Sequence, residues 1–413
     1  MKTRQQNSVS GDSLPIITPR NTQSKTSEKS SSSAIPVDIL IEIFSTLSVK
    51  SIATCRCVSK LWYSTLHRSD FTELILRRSC STSPKLLFAC RKKRDVFFFT
   101  SPQPQNPDEK SSPVVASCHM TFTFNDINDI SYGVHGLVCL LSNRISKGKE
   151  EIAPLIWNPS TGESGILPKV ETRRGATVNF LLGYDPIDKQ FKVLCMTKRR
   201  PLYRSHRDQH QVLTLGTGGK INWSWRRIEC SIPSYALIKP ICINGVVYYI
   251  SIKRSKGTCV VVCFDVRSES FSFMKATGAL NGALLNGGTL VNYNGKFGVA
   301  QSLFSEKSKS LKLWVLEHVE KEEWSERIYV LPALWKDVVG KSELRCVGVT
   351  RTNEIVFSSY DREYSFYLYY LNLERNTVVR VEIQGMNMSK SKCWVYFTCL
   401  DHVEDVKLYR KCF

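Results

Sequence analysis

Ile241-Cys242-Ile243-Asn244-Gly245-Val246-Val247-Tyr248-Tyr249 is two apolar runs joined by Asn-Gly. That dipeptide accepts positive φ at both central positions of a tight turn, so the nine residues predict a β-hairpin. The same device recurs 50 residues on, in Val291-Asn292-Tyr293-Asn294-Gly295-Lys296-Phe297-Gly298-Val299. Comparable turns stand at His135-Gly136 within YGVHGLVCLL, at Pro186-Ile187-Asp188 before QFKVLCM, and at Thr352-Asn353-Glu354 before IVFSSY. With Gly136, Ile187, Gly245, Gly295 and Asn353 as markers, the intervals are 51, 58, 50 and 58 residues.

Working outward from each turn, a second hairpin follows: strand, polar turn, then a strand that often carries an aromatic. Its copies are LIWNPSTGESGILP from Leu155, VLTLGTGGKINWSWRRI from Val212, VVCFDVRSESFSFM from Val261, LKLWVLEHVEKEEWSERIYV from Leu311 and FYLYYLNLERNTVVRVEI from Phe366. Two hairpins per period make four strands per repeat. One small sheet cannot bury both of its faces, so such repeats stack as propeller blades. Five repeats span about residues 133–385. Leu86–Ala89 and Val96–Thr100 on one flank, with Trp394–Leu400 on the other, supply strands for a sixth blade that closes the ring and removes open edges. The fold class is therefore mainly β, with six blades favoured over an irregular or incomplete ring.

Residues 35–66 have a different period. Ile35-Pro36-Val37-Asp38-Ile39-Leu40-Ile41-Glu42-Ile43-Phe44 opens with a proline suited to a first helical turn and an aspartate that complements the positive end of the helix dipole. Ile39, Leu40, Ile43, Phe44 and Leu47 form an apolar stripe too wide for so short a segment to hide internally. Ser48 caps a second helix over Val49–Arg56, and Ser59 caps a third that sets Trp62 and Leu66 on one face. Three short helices lie below the size at which a core stabilises itself, which argues for a partner.

The word order of this segment, with Arg56-Cys57-Val58-Ser59-Lys60-Leu61-Trp62, resembles the F-box. Ser48 stands where many plant F-boxes carry proline, a departure that keeps the turn. The resemblance implies binding to a Skp-family adaptor, and through it to cullin and RING subunits, by Ile35, Pro36, Ile39, Leu40, Ile43, Phe44, Leu47, Val58 and Trp62. Further on, HGLVCL from His135, IWNPSTGE from Ile156, LGYDPIDKQFKVLCM from Leu182 and FDVRSESFSF from Phe264 resemble the plant F-box-associated domain, type 3, a kelch-like interaction module. Together they imply a substrate-recognition adaptor of an SCF-type (Skp–cullin–F-box) ubiquitin ligase, with no catalysis and no cofactor of its own. The expected division is a disordered leader at 1–33, the F-box at 34–75 and the β-propeller-like domain at 84–410.

Composition bounds the remainder. The leader holds nine serines and no sustained apolar run, and carries no secretory signal. No stretch reaches the roughly 18 apolar residues of a membrane span; Ala236–Ile252 is broken by Lys239, Pro240 and Asn244-Gly245. Fifteen scattered cysteines without a signal peptide indicate reduced thiols in cytoplasm, nucleus or both. Gly216-Thr217-Gly218-Gly219-Lys220 lacks the first glycine of a phosphate loop, where Thr214 stands, and the hydroxyl residue, where Ile221 stands. Cys55, Cys57, Cys259 and Cys263 lack the spacing and histidine partners of a zinc site, and His206 and His210 lie in a polar connection.

Charge is the last feature to place: 57 basic residues against 37 acidic ones give +20. Arg91-Lys92-Lys93-Arg94 is one maximum and Lys198 to Gln211 another, the latter an unusually long connection inside a blade. Arg199, Arg200, Tyr203, Arg204 and Arg207 there combine guanidinium forks with an aromatic surface, the equipment to contact an acidic or phosphorylated protein substrate. A solvated surface or a nuclear-import signal is the plainer reading. The alternative from another class is a basic propeller scaffold or nucleic-acid-binding protein with a degenerate F-box.

Overall fold

A computed structural model of the chain describes residues 35–407, apart from 83, 94, 109–110, 124–126, 131–132, 147–148, 171–176, 199–208, 217–222, 232–235, 237–238, 254–256, 305–308, 341, 360–364 and 387–393. Four helices come first: α1 Val37–Ser45, α2 Val49–Cys55, α3 Lys60–Leu66 and α4 Ser69–Thr82. The expected caps are in place, since Ser48 accepts a bond from the Ser51 N–H and Ser59 one from the Trp62 N–H. The fourth helix is additional to the three expected. It forms because Phe71 and Ile75, one turn apart, are buried against the other helices, which outweighs the polar composition of the rest of the segment.

The β unit is a ring of six sheets. Blade 1 takes β1 Lys85–Lys92, β2 Asp95–Pro102 and β4 Ser117–Thr123; a short β3, Val114–Val115, leaves it for a neighbour. Blade 2 is β5 Ile127–Ile130, β6 Val138–Ser146, β7 Lys149–Trp157 and β8 Ser164–Ile166. Blade 3 is β9 Thr177–Asp185, β10 Gln190–Lys198, β11 Gln209–Leu215 and β12 Arg226–Ile228. Blade 4 is β13 Ile241–Ile243, β14 Val246–Lys253, β15 Thr258–Asp265 and β16 Phe271–Lys275, followed by helix α5, Gly278–Leu285. Blade 5 is β17 Thr289–Tyr293, β18 Lys296–Phe304, β19 Lys309–His318 and β20 Glu323–Val330, followed by α6, Trp335–Val339. Blade 6 is β21 Leu344–Val349, β22 Glu354–Ser359, β23 Phe366–Asn372 and β24 Thr377–Gln384, with β3 pairing in parallel on its outer edge. The last strand, β25 Trp394–His402, returns to blade 1 and pairs antiparallel with β1, Lys85 facing His402 and Arg91 facing Trp394.

The turns explain the period. Asn244 and Gly245 have φ of +48° and +85°, Asn294 and Gly295 of +52° and +77°, and His135 and Gly136 of +43° and +84°, the double positive φ that joins two right-twisted strands in two residues. The second hairpins use side-chain capping instead. Asp265 Oδ1 accepts the Ser268 N–H at 2.7 Å, Asn158 Oδ1 the Ser160 N–H at 2.9 Å, and Asn372 Oδ1 the Arg375 N–H at 2.9 Å. Between blades, facing sheets bury aromatic and branched residues in separate clusters, such as Leu87, Phe98, Trp157 and Phe397 between blades 1 and 2. Each sheet thus depends on its two neighbours. Helices α5 and α6 fill blade-to-blade gaps, with Leu280 and Leu284, and Trp335 and Val339, inserted into the adjoining cores.

Candidate functional site: two faces on one rigid body

The apolar stripe of α1 divides into two rows. Leu40 and Phe44 turn inward, 4% and 2% exposed, and Phe44 meets Trp62 edge to face with centroids 4.9 Å apart. Leu47 and Trp62 are half-buried against the same core. Leu40 and Phe44, expected among the adaptor contacts, are therefore placed as core that holds the helices together. Ile35, Pro36, Ile39, Ile43 and Val58 point to solvent, with Ile39, Ile43 and Val58 at 48%, 47% and 60% exposure. Leu61 and Tyr63 of α3, which the sequence reading did not single out, are exposed too. Ile39 and Ile43 are spaced i, i+4, one line along α1, and Ile35 stands just ahead of its N-cap, Pro36. So many large apolar side chains exposed within thirty residues mark an interaction surface, because a solvated face at this density is costly.

The helical unit is seated firmly on the propeller. Val406, beyond the last strand, is fully buried among Leu40, Phe44, Ile52, Leu66 and Phe71. The buried Arg56 guanidinium donates to the carbonyls of Leu66 and Val406. The Glu404 N–H donates to Ser79 Oγ at 2.6 Å, and the Arg351 guanidinium reaches the Cys80 carbonyl. Glu73 of α4 pairs with Lys189 of the β9–β10 turn at 2.7 Å, which holds its carboxyl below the usual carboxylate range. The size deficit read from the sequence is thus met in part within the chain: the propeller's own tail completes the helical core.

This seating fixes which end of the propeller is which. The β9–β10, β21–β22 and His135-Gly136 turns all abut α4 or the tail; a Cβ on Gly136 would lie 2.7 Å from Asp405 Cβ. The mouth of the central channel on this side, about 350 Å³, is bordered by Cys80, His135, Asn292, Arg351 and Asp401. Its polar groups are occupied: Asp401 accepts from Gln103 Nε2 at 2.8 Å and from the Arg351 N–H at 2.9 Å, while burial raises its carboxyl above the ordinary range. The opposite mouth, about 460 Å³, is formed where β13, β17 and β21 begin, with α5 on its lip. Antiparallel strand order brings the end of β10 and the start of β11 to that opposite rim. Arg199, Arg200, Tyr203, Arg204 and Arg207 themselves lie outside the described residues.

Among the described residues no group of three or more His, Cys, Asp or Glu is placed to hold a metal, and no helix is long and apolar enough to cross a membrane. Burial raises the Cys263, Cys346 and Cys399 thiols to about 12, which leaves them as core packing.

A small helical unit with a bare apolar face is mounted on a closed six-bladed ring. The chain matches the family described as F-box associated beta propeller domain over residues 85–403, and the F-box domain over residues 32–74. It is 48% identical over 385 residues to F-box protein DOR of Arabidopsis thaliana, covering 91% of this chain and 94% of that one. It is 47% identical over 407 residues to F-box protein At5g65850 of the same plant, covering 96% of each. The chain belongs to the family of F-box proteins that carry an F-box-associated β-propeller.

Proposed function

We propose that this protein is the substrate-recognition subunit of an SCF-type ubiquitin ligase, binding a Skp-family adaptor through Ile35, Pro36, Ile39, Ile43, Val58 and Leu61 and a protein substrate through the far rim of the propeller. The observation that carries the reading is the exposed row on α1 and α3 of an F-box unit rigidly attached to the other end of the ring. The adaptor brings cullin and RING subunits. The propeller holds the substrate near a ubiquitin-charged enzyme, raising the effective concentration of its lysines without acting on them. In this role the protein is itself non-catalytic and acts in cytoplasm, nucleus or both.

The test is co-expression with a Skp-family adaptor and quantitative capture. Replacing the half-exposed Ile39 and Ile43 together by Asp places two charges in the apolar row, and capture should fall at least about 100-fold while the melting temperature stays within a few degrees. A chain starting at residue 33 should bind as the full chain does. Undiminished capture by the double variant would remove the adaptor reading.

A further inference from the structure

The channel mouth that faces away from the F-box carries two kinds of lining, set apart around the ring. On one side Ile250 and Ile252 of blade 4 meet Leu284 and Leu285 of α5. Leu285 is 48% exposed at the lip. On the other side Lys239, ahead of β13, extends its ammonium over the ring of Phe397 on β25, 5.0 Å from its centroid, and Arg345 of β21 lines the same wall. The charged groups among the described lining residues are these two cations. Beside Phe397 stands Thr398, only 6% exposed, also part of the lining, and its Oγ1 has no hydrogen-bond partner. A buried hydroxyl left unpaired is destabilising, so its retention at a cationic wall points to an occupant that satisfies it.

We propose that this mouth is the substrate-anchoring site and takes an acidic peptide segment of the substrate: an apolar side chain seated against α5 and blade 4, and a neighbouring Asp or Glu carboxylate held by Lys239, Arg345 and the Thr398 hydroxyl. The inference rests on the substrate-recognition reading above. The volume of about 460 Å³ lies within the roughly 300–1,000 Å³ of concave ligand sites and suits a few residues rather than a folded surface. The Thr398 hydroxyl donates a hydrogen bond to the carboxylate, and the two cations add charge-assisted bonds. The site is distinct from the basic segment that follows β10 in the sequence, and its described lining includes no residue of blade 3.

Fluorescent decapeptides, acetylated and amidated so that they have no terminal charge, provide the probe. One set carries Leu, Ile or Phe followed within three positions by Asp-Glu; the matched set carries Asn-Gln in place of the acids. Anisotropy titrations use the full chain, with Skp-family adaptor capture measured on the same preparations. Binding of acidic peptides should be at least tenfold tighter than that of their neutral counterparts, and should be lost on Lys239→Glu with Arg345→Glu. Thr398→Val should raise the melting temperature, by removing an unpaired hydroxyl, and yet weaken acidic peptides several-fold. A structural role alone would give the first effect without the second. Equal affinity for acidic and neutral sets, or acidic binding that survives both variants, overturns the proposal. Adaptor capture retained in that case leaves the ligase reading standing, whereas its loss in the wild-type chain counts against that reading separately.

Discussion

The two mouths of the central channel are made by opposite ends of the same strands, yet they differ in lining and in what lies across them. On the F-box side the turns are tight, their polar groups are consumed by one another, and α4 and the tail lie across them. On the far side the strand starts are spread apart, a helix forms the lip, and cations and an unpaired hydroxyl line the wall. One end is joined to the rest of the chain. The other is built like a receptacle. The difference arises because the Asn-Gly turns and the turns headed by Asp265 and Asn372 fall at the F-box end of their blades, while the starts of β13, β17 and β21 fall at the other.

The severest way to break this comparison is to remove the shared component. Truncation before Trp394 takes away β25, which closes the ring, and Val406, which completes the helical core. The cooperative melt of the full chain should disappear, as followed by circular dichroism; an unchanged transition would mean the tail is peripheral. Next in size, Phe44→Ala removes a fully buried ring from the helical core and should cost about 3–5 kcal/mol in urea unfolding. Adaptor capture should fall with it, but should recover on cooling or added adaptor. Substitution at exposed Ile43 should instead abolish capture at constant stability.

A smaller effect tests the seam between the ends. Val406→Ala should loosen the helical unit by roughly 2 kcal/mol, seen as faster amide exchange in α1 and α4 while blades 3 to 5 keep their protection. Acid provides a finer probe. His402, at the end of the closing strand, is fully buried near Lys85, and desolvation pushes its pKa down from 6.5 to about 3. The folded chain therefore resists a proton that the unfolded chain accepts below about 6.5, so this group withdraws stability progressively as pH falls from 6.5 towards 3. His402→Leu should lessen the drop in melting temperature between pH 6.5 and 5; a parallel drop in both proteins would show that other groups govern it. The smallest effect is at the surface: Lys189→Ala breaks the half-exposed Glu73–Lys189 pair and should cost at most about 1 kcal/mol.

The ring was legible because its turns are. Asn-Gly at 244–245 and 294–295 and the Asn or Asp heading the second hairpins are local signals, each deciding its own geometry without reference to the rest. The closing strand was legible through edge logic, since blade 1 lacked a partner. Helix α4 was not, because its case rests on two buried residues, Phe71 and Ile75, whose burial depends on segments elsewhere in the chain. Strand β3 is two residues long and pairs with a strand nearly 270 positions away, beyond any local pattern. The candidate adaptor face was half legible: periodicity placed Ile39, Leu40, Ile43 and Phe44 on a stripe, but only the packing of Val406 and Trp62 tells which edge of that stripe is inside. Nothing in the sequence marks the far mouth, since Lys239, Arg345 and Thr398 are more than fifty positions apart and meet through ring closure.

The burial of Val406 has a consequence for the order of events during synthesis. The helical segment is the first part of the described chain to leave the ribosome, but the side chain that seals its core comes after every blade has been made. A nascent or prematurely ended chain would therefore carry the F-box helices without a finished support for them. The first folded unit to be synthesised is in this way finished only after the last blade, and until then its exposed row rests on an open core.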